Sequence, residues 1–242
     1  MNYKMTIQYD GARYSGWQRQ GNTDRTVQAR LEKTLSELLQ QPVEVQGSGR
    51  TDAGVHAIGQ VASFRTDGPV PDDFLLRLNE SLPQDIAVTA LSPASPRFHA
   101  RLSAKEKVYR YTVWNSPIPN VLERRYLFQV PEPLDIPAMR AAADRMLGTH
   151  DFAGFSADKT KKTTVRCLKS VEIRQDGTRI ELLFTGNGFL RSMVRILTGT
   201  LIEVGLGQRT PDSVDEVFSA CDRQKAGFTA PAQGLCLMQV IY

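Results

Sequence analysis

The sequence predicts an α+β protein built from two halves that repeat one order of elements, βαββαβ. Three observations carry that expectation. Some segments alternate apolar and polar residues, as half-buried strands do; others carry apolar residues every three or four positions, as helices do; and the two patterns follow one another in the same order in residues 1–104 and 105–242. A chain of 242 residues has room for one large or two small domains, and 41% hydrophobic with 23% charged residues is enough apolar mass for a core.

In the first half, residues 3–9 alternate around Tyr3, Met5, Ile7 and Tyr9 and read as a strand. Gly11, Ser15 and Gly16 break that pattern, with Trp17 in the loop. Thr26 is a natural N-cap for a helix whose face is Val27, Leu31, Leu35, Leu38 and Leu39, ended by Pro42. Residues 43–45 form a short strand, residues 47–54 a glycine-rich loop, and residues 60–65 the next strand. Pro71-Asp72-Asp73 opens a helix carrying Phe74, Leu75, Leu78 and Leu82, and residues 86–88 close the half as a strand.

The second half gives the same order with longer insertions. Residues 107–114 alternate as a strand, and residues 136–147 are helical. Strands at 168–174 and 179–184 flank a turn at Asp176-Gly177. Residues 189–204 read as a helix, Thr210-Pro211 caps one extra helix, and residues 235–241 close as a strand. Twice βαββαβ suggests two ferredoxin-like or RRM-like halves, each an antiparallel sheet covered by helices on one face, with the free faces lining a central cleft. The expected domains are residues 1–104 and residues 105–242.

Composition excludes several classes. No stretch approaches the roughly 18 apolar residues of a membrane helix, and the first ten residues have no apolar signal core, so a cytoplasmic protein without a membrane is expected. Cys167, Cys221 and Cys236 make neither a disulfide framework nor a CxxC site, and His56, His99 and His150 lack metal-ligand spacing. The net charge of +4 falls entirely in residues 105–242, which hold 19 cations against 15 anions. It is densest at Lys159, Lys161, Lys162, Arg166 and Lys169, where a solvated loop and a phosphate-binding patch are the two readings.

The most informative stretch is Gly47-Ser48-Gly49-Arg50-Thr51-Asp52-Ala53-Gly54-Val55-His56. It lacks the Gly-Lys-Ser/Thr ending of a P-loop, and the chain lacks the paired cysteines of a zinc deaminase. Arg50 and Asp52 stand two apart, close enough to share one site, although an aspartate between glycines is most often a turn former. Gly49 to His56 resembles the catalytic motif of the bacterial tRNA pseudouridine synthase A family. Further segments are similar in the same order: Tyr9-Asp10-Gly11 with Tyr14-Ser15-Gly16-Trp17-Gln18, Phe98-His99-Ala100-Arg101, Lys107-Val108-Tyr109-Arg110-Tyr111, Phe189-Leu190-Arg191-Ser192-Met193-Val194-Arg195, and Thr229-Ala230-Pro231-Ala232. The pattern departs at Phe228, where proline is expected.

The resemblance implies isomerisation of uridine to pseudouridine at nucleotides 38, 39 and 40 of the tRNA anticodon arm, by a homodimer with no required cofactor and no DNA partner. It implies Asp52 as the catalytic carboxylate, Tyr109 as the aromatic touching the target base, Arg195 as the charge partner of Asp52, and Arg50 as a residue that steadies the loop or helps extrude the base. Lys161, Lys162 and Arg166 then become phosphate contacts. Trp17, Arg13 and Arg19 lie in a loop that either reaches the RNA or, for Trp17, anchors in the core. The rival is a non-catalytic tandem RRM-like RNA-binding protein, which would need an aromatic-rich RNP1 strand; residues 107–114 have the aromatics but not the glycines.

Overall fold

The computed structural model describes residues 1–158, 160 and 163–242. Among the described residues are ten strands and five α-helices, a mixed α+β arrangement. They form two compact units, Met1–Lys105 together with Leu237–Tyr242, and Glu106–Cys236. The last six residues, expected with the second half, therefore belong to the first unit.

In the first unit, strand β1 (Asn2–Tyr9) is central. It pairs antiparallel with β3 (His56–Arg65) on one side and β4 (Ile86–Pro93) on the other. Its alternation puts Met5 and Ile7 at full burial, and Tyr3 stacks on Phe64 of β3 at 5.6 Å between ring centres. Short β2 (Val45–Gly47) lies on the outer edge of β3, with Val45 opposite Phe64. Strand β10 (Leu235–Ile241) also joins β3, near Gly59, where a Cβ would sit 2.2 Å from the Met238 carbonyl oxygen. Helix α1 (Val27–Leu39) is capped as expected, Thr26 Oγ1 accepting the Ala29 N–H at 3.3 Å. It buries Val27, Leu31 and Leu35 and stops where Gln40 turns left-handed at φ 52°, two residues before Pro42. Helix α2 (Phe74–Ser81) is tied to β4 by Asn79, whose side-chain amide donates to the Val88 carbonyl at 2.9 Å and accepts from the Val88 N–H at 2.8 Å.

In the second unit, β5 (Glu106–Asn115) and β8 (Val165–Asp176) flank β9 (Arg179–Gly186), all antiparallel, with β9 turning back from β8 at Gly177, φ 56°. Two short strands were not anticipated: β6 (Phe128–Val130), parallel to β5, and β7 (Gly148–Asp151), on the edge of β8. Helix α3 (Ile136–Arg145) starts at Asp135, whose carboxylate accepts the Ala138 N–H at 2.9 Å. Helix α4 (Met193–Gly205) is buried almost all round, and α5 (Ser213–Ala220) is the extra helix. Several expected bounds shift, the starts of β3 and α4 by four residues each. Strand β3 begins at His56 rather than 60, because Ala57 still pairs with Tyr9 beyond a break in register. Helix α4 begins at Met193 rather than 189, because Ser192 sits left-handed at φ 57° and breaks the helical path.

Candidate active site

The loop of residues 48–55 is built by contacts to two neighbours, β3 behind it and the segment after β1 beside it. Behind, Ser48 N–H donates to the Val61 carbonyl at 2.7 Å, and Ser48 Oγ donates to Gln60 Oε1 at 2.6 Å. The Gln60 amide returns to the Gly49 carbonyl at 3.0 Å. Beside it, Trp17 N–H donates to the Thr51 carbonyl at 3.1 Å, and the Tyr9 and Thr51 hydroxyls share a bond of 2.9 Å. These approaches dictate residue type. Gly16 is left-handed at φ 98° and a Cβ there would lie 2.7 Å from the Thr51 carbonyl oxygen; at Gly11 a Cβ would lie 2.0 Å from the Val55 carbonyl oxygen.

Trp17 is only 2% exposed, its indole seated on Gly47 where any side chain would strike the ring, so it anchors the loop in the core. Of its charged neighbours, Arg19 pairs with Glu32 at 3.1 Å and the largely exposed Arg13 with Asp85 at 3.7 Å. His56 accepts the Gly11 N–H at Nδ1, 3.1 Å away. Asp10 Oδ1 lies at the same 3.1 Å from that nitrogen. One ring nitrogen cannot accept and donate at once, and the backbone N–H, a fixed donor, sets the tautomer. His56 therefore braces the loop.

Held this way, the loop carries Asp52 half-buried at its turn, where its carbonyl accepts the Val55 N–H at 3.2 Å, and Arg50 exposed two residues before it. Arg50 Nε–H donates to Gln18 Oε1 at 3.0 Å. The first unit thus brings Arg50 and Asp52 together on one braced loop.

The other expected residues lie in the second unit. Tyr109, on β5 opposite Phe184, is 7% exposed and meets the edge of Phe189 at 5.1 Å between centres. Tyr111, two residues on, is fully buried and donates its hydroxyl to the Pro231 carbonyl at 2.8 Å. Burial pushes its phenol well above the usual tyrosine range, while the Arg195 charge pulls the other way. Tyr111 is thus part of the core. Arg195, in the first turn of α4, is fixed to Ala230 twice: Nε–H donates to the Ala230 carbonyl at 2.7 Å, and the Ala230 N–H returns to the Arg195 carbonyl at 3.1 Å. Phe228, the departure from the family pattern, donates its N–H to Glu203 Oε1 at 2.9 Å, a bond proline has no hydrogen to make, and its ring meets Phe128 at 6.1 Å.

The basic patch is partly described. Lys159, Lys161 and Lys162 lie outside the described residues. Arg166 caps the carbonyls of Thr163 and Val165, and burial lowers its guanidinium pKa. Lys169 pairs with Glu106. Among the described residues no group of His, Cys, Asp or Glu could hold a metal ion, and no helix is long and apolar enough to cross a membrane.

Sequence reasoning missed the polar pair Gln28 and Glu32, buried on α1 behind Gln18. Their spacing of four, beside the apolar stripe of Leu31 and Leu35, was the available signal.

Comparison with known proteins covers most of the same segments, with Lys107-Val108-Tyr109-Arg110-Tyr111 outside the family match. The family described as tRNA pseudouridine synthase matches residues 5–102 and 142–242. The chain is 46% identical over 241 residues to the tRNA pseudouridine synthase A of Pelobacter propionicus, covering 99% of this chain and 98% of that one. It is 42% identical over 241 residues to tRNA pseudouridine synthase A 2 of Bacillus cereus (99% and 98%), and 42% over 243 residues to tRNA pseudouridine synthase A of Acetivibrio thermocellus (100% and 99%). With most of its length matched by the family and its whole length by such relatives, this chain belongs to the tRNA pseudouridine synthase family, a family of isomerases.

Proposed function

We propose that the chain isomerises uridine to pseudouridine at nucleotides 38, 39 and 40 of the tRNA anticodon arm, with Asp52 as the catalytic carboxylate. One observation carries the assignment: Asp52 sits half-buried on a loop braced by hydrogen bonds from β3 and from the segment after β1, in the stretch most similar to the family's motif. A residue that only shaped a turn would not need that scaffold.

The chemistry follows from an ionised carboxylate. The C1′–N1 bond breaks and uracil leaves with its electron pair. Either Asp52 attacks C1′ and holds the sugar as an ester, or it takes the C2′ proton and the sugar becomes a glycal. In both routes the uracil turns and C5 bonds to C1′, releasing the Asp52 carboxylate from its ester in the first route, while in the second Asp52 returns its proton to C2′; the C5 proton is then lost and N1 gains one. Atoms balance without any outside oxidant or reductant, which fits the expectation of no required cofactor. Arg195 is taken as the charge partner of Asp52. Tyr109 offers an aromatic face to the extruded base, a contact of about 1–3 kcal/mol per base. Arg50 assists extrusion of a base that must leave its stack to react. Lys161, Lys162 and Arg166 contact phosphates.

Two coarser readings go with this. Both halves are taken as ferredoxin-like; in the first unit, the strand order β4–β1–β3 with β2 on β3, and two helices, supports it. The working form is a homodimer in the cytoplasm, and exposed Ile118, Val121 and Leu122 on the loop of residues 116–127 support docking of a second copy.

Asp52→Asn tests the assignment. It keeps size and turn propensity while removing the charge, so single-turnover pseudouridine formation should vanish while filter binding of the same tRNA persists. Substantial turnover by this variant would return Asp52 to the role of turn former.

A further inference from the structure

Arg50 is attached to a relay of side-chain amides whose direction is fixed from a buried carboxylate. Glu32, 6% exposed, can only accept while ionised. Its Oε1 takes the Val45 N–H at 3.1 Å and Gln28 Nε2 at 2.9 Å, and its Oε2 takes the Arg19 guanidinium at 3.1 Å. Gln28, also buried, spends its other amide hydrogen on the Val45 carbonyl at 3.0 Å. Both of those partners are acceptors, so the Gln28 oxygen must face the opposite way. There it accepts the Arg19 N–H at 2.8 Å and Gln18 Nε2 at 2.7 Å. Gln18 is thereby turned so that its oxygen, and not its nitrogen, meets Arg50 Nε–H at 3.0 Å. A flipped amide anywhere along the chain would set donor against donor or oxygen against oxygen.

We propose that Gln18 is a positioning residue for Arg50, oriented through Gln28 by Glu32. The inference rests on the reading of Arg50 as a residue that acts on the RNA. The bond to Gln18 uses one of the five guanidinium N–H groups and fixes the side chain at Nε, leaving its outer nitrogens to meet RNA. A long arginine otherwise loses much rotamer freedom when it engages a ligand; one held in advance loses less. The relay also joins α1, β2 and the segment after β1, so Arg50 is referenced to the rigid part of the unit and not only to its own loop.

The test is a double-mutant cycle on the full chain with intact tRNA. Gln18→Met, similar in length but without polar ends, should slow single-turnover pseudouridine formation about tenfold, the equivalent of one charge-assisted hydrogen bond, with tRNA affinity and melting temperature little changed. Gln18→Asn, which keeps the amide but shortens its reach, should slow it similarly and serves if the methionine variant folds poorly. In an Arg50→Met background, Gln18→Met should cost nothing further. A full additional loss in that background would overturn the relay while leaving Arg50 in its role. Wild-type turnover by Arg50→Met would overturn the reading of Arg50 and the relay with it, and Asp52→Asn would still test the carboxylate independently.

Discussion

Gly11→Ala should separate catalysis from RNA binding by moving the Asp52 loop without touching any reacting group. The added Cβ would sit 2.0 Å from the Val55 carbonyl oxygen and 3.1 Å from the Val55 nitrogen, against backbone that cannot rotate away. Ordinary contact begins at 3.4 Å, so the two segments must part by more than an ångström at that point. Val55 closes the turn on Asp52, whose backbone carbonyl holds the Val55 N–H at 3.2 Å, so the displacement is passed to the Asp52 main chain. Overpacking of this kind costs about 1–3 kcal/mol, which for a chain of this size is a fall in melting temperature of roughly 2–12 °C. A misplacement near 1 Å at the reacting centre costs on the order of a hundredfold in rate. Single-turnover kinetics, filter binding and thermal unfolding on the same preparations measure all three. Gly59→Ala is the comparison, since its Cβ would meet the Met238 carbonyl oxygen of β10 at 2.2 Å and could reach the loop only through the neighbouring Gln60; it should lose stability with a smaller loss of rate. Gly21→Ala, which would meet nothing within 4 Å, should be neutral. If Gly11→Ala is destabilised like the Gly59 variant yet turns over at the wild-type rate, the loop is not positioned by this approach of the two backbones.

Three further outcomes are expected. Tyr111→Phe loses the 2.8 Å bond to the Pro231 carbonyl, costing about 1 kcal/mol, and loosens the segment that grips Arg195; turnover should fall at unchanged tRNA affinity, and equal turnover would detach that segment from catalysis. Burial raises the phenols of Tyr14, Tyr111 and Tyr242, and for Tyr14 the hydrogen bond to Asp85 adds to it, whereas an unfolded tyrosine ionises near pH 10. Their contribution to stability is therefore complete below about pH 10 and declines as the pH rises above it; denaturant midpoints that stay flat across that range would contradict this. Neutralising Lys161 and Lys162 together should flatten the salt dependence of tRNA binding by about 0.9 in logarithmic slope for each duplex phosphate that these lysines neutralise, and an unchanged slope would make them solvated surface.

Much of the scaffold was legible because its signals are local. Thr26 with Val27, Leu31 and Leu35 announced α1, and Asp176-Gly177 announced the β8–β9 hairpin, each within one window of sequence. Strands β6 and β7, of three and four residues, are too short to show alternation, and they exist because β5 and β8 have edges to pair. Ser192 could not be read as a break in α4, since a left-handed serine has no compositional mark. For the candidate site, the loop with Arg50 and Asp52 stood out by motif, but its bracing did not: Trp17 on Gly47, Tyr9 on Thr51 and Gln18 on Arg50 join residues far apart in the chain. The ion pair of Lys169 was not legible either, because its partner, Glu106, is 63 residues away.

The membership of Leu237–Tyr242 in the first unit sets an order of events during synthesis. The unit bearing Asp52 begins at the first residue translated, but its sheet lacks β10, the Lys105 N–H lacks its partner in the Ile241 carbonyl, and Phe98 lacks the ring of Tyr242 until the ribosome has passed the whole second unit. The second unit is contiguous from Glu106 to Cys236 and is free to fold first. A released chain ending at Cys236 should therefore carry a protease-resistant second unit and a more protease-sensitive first one.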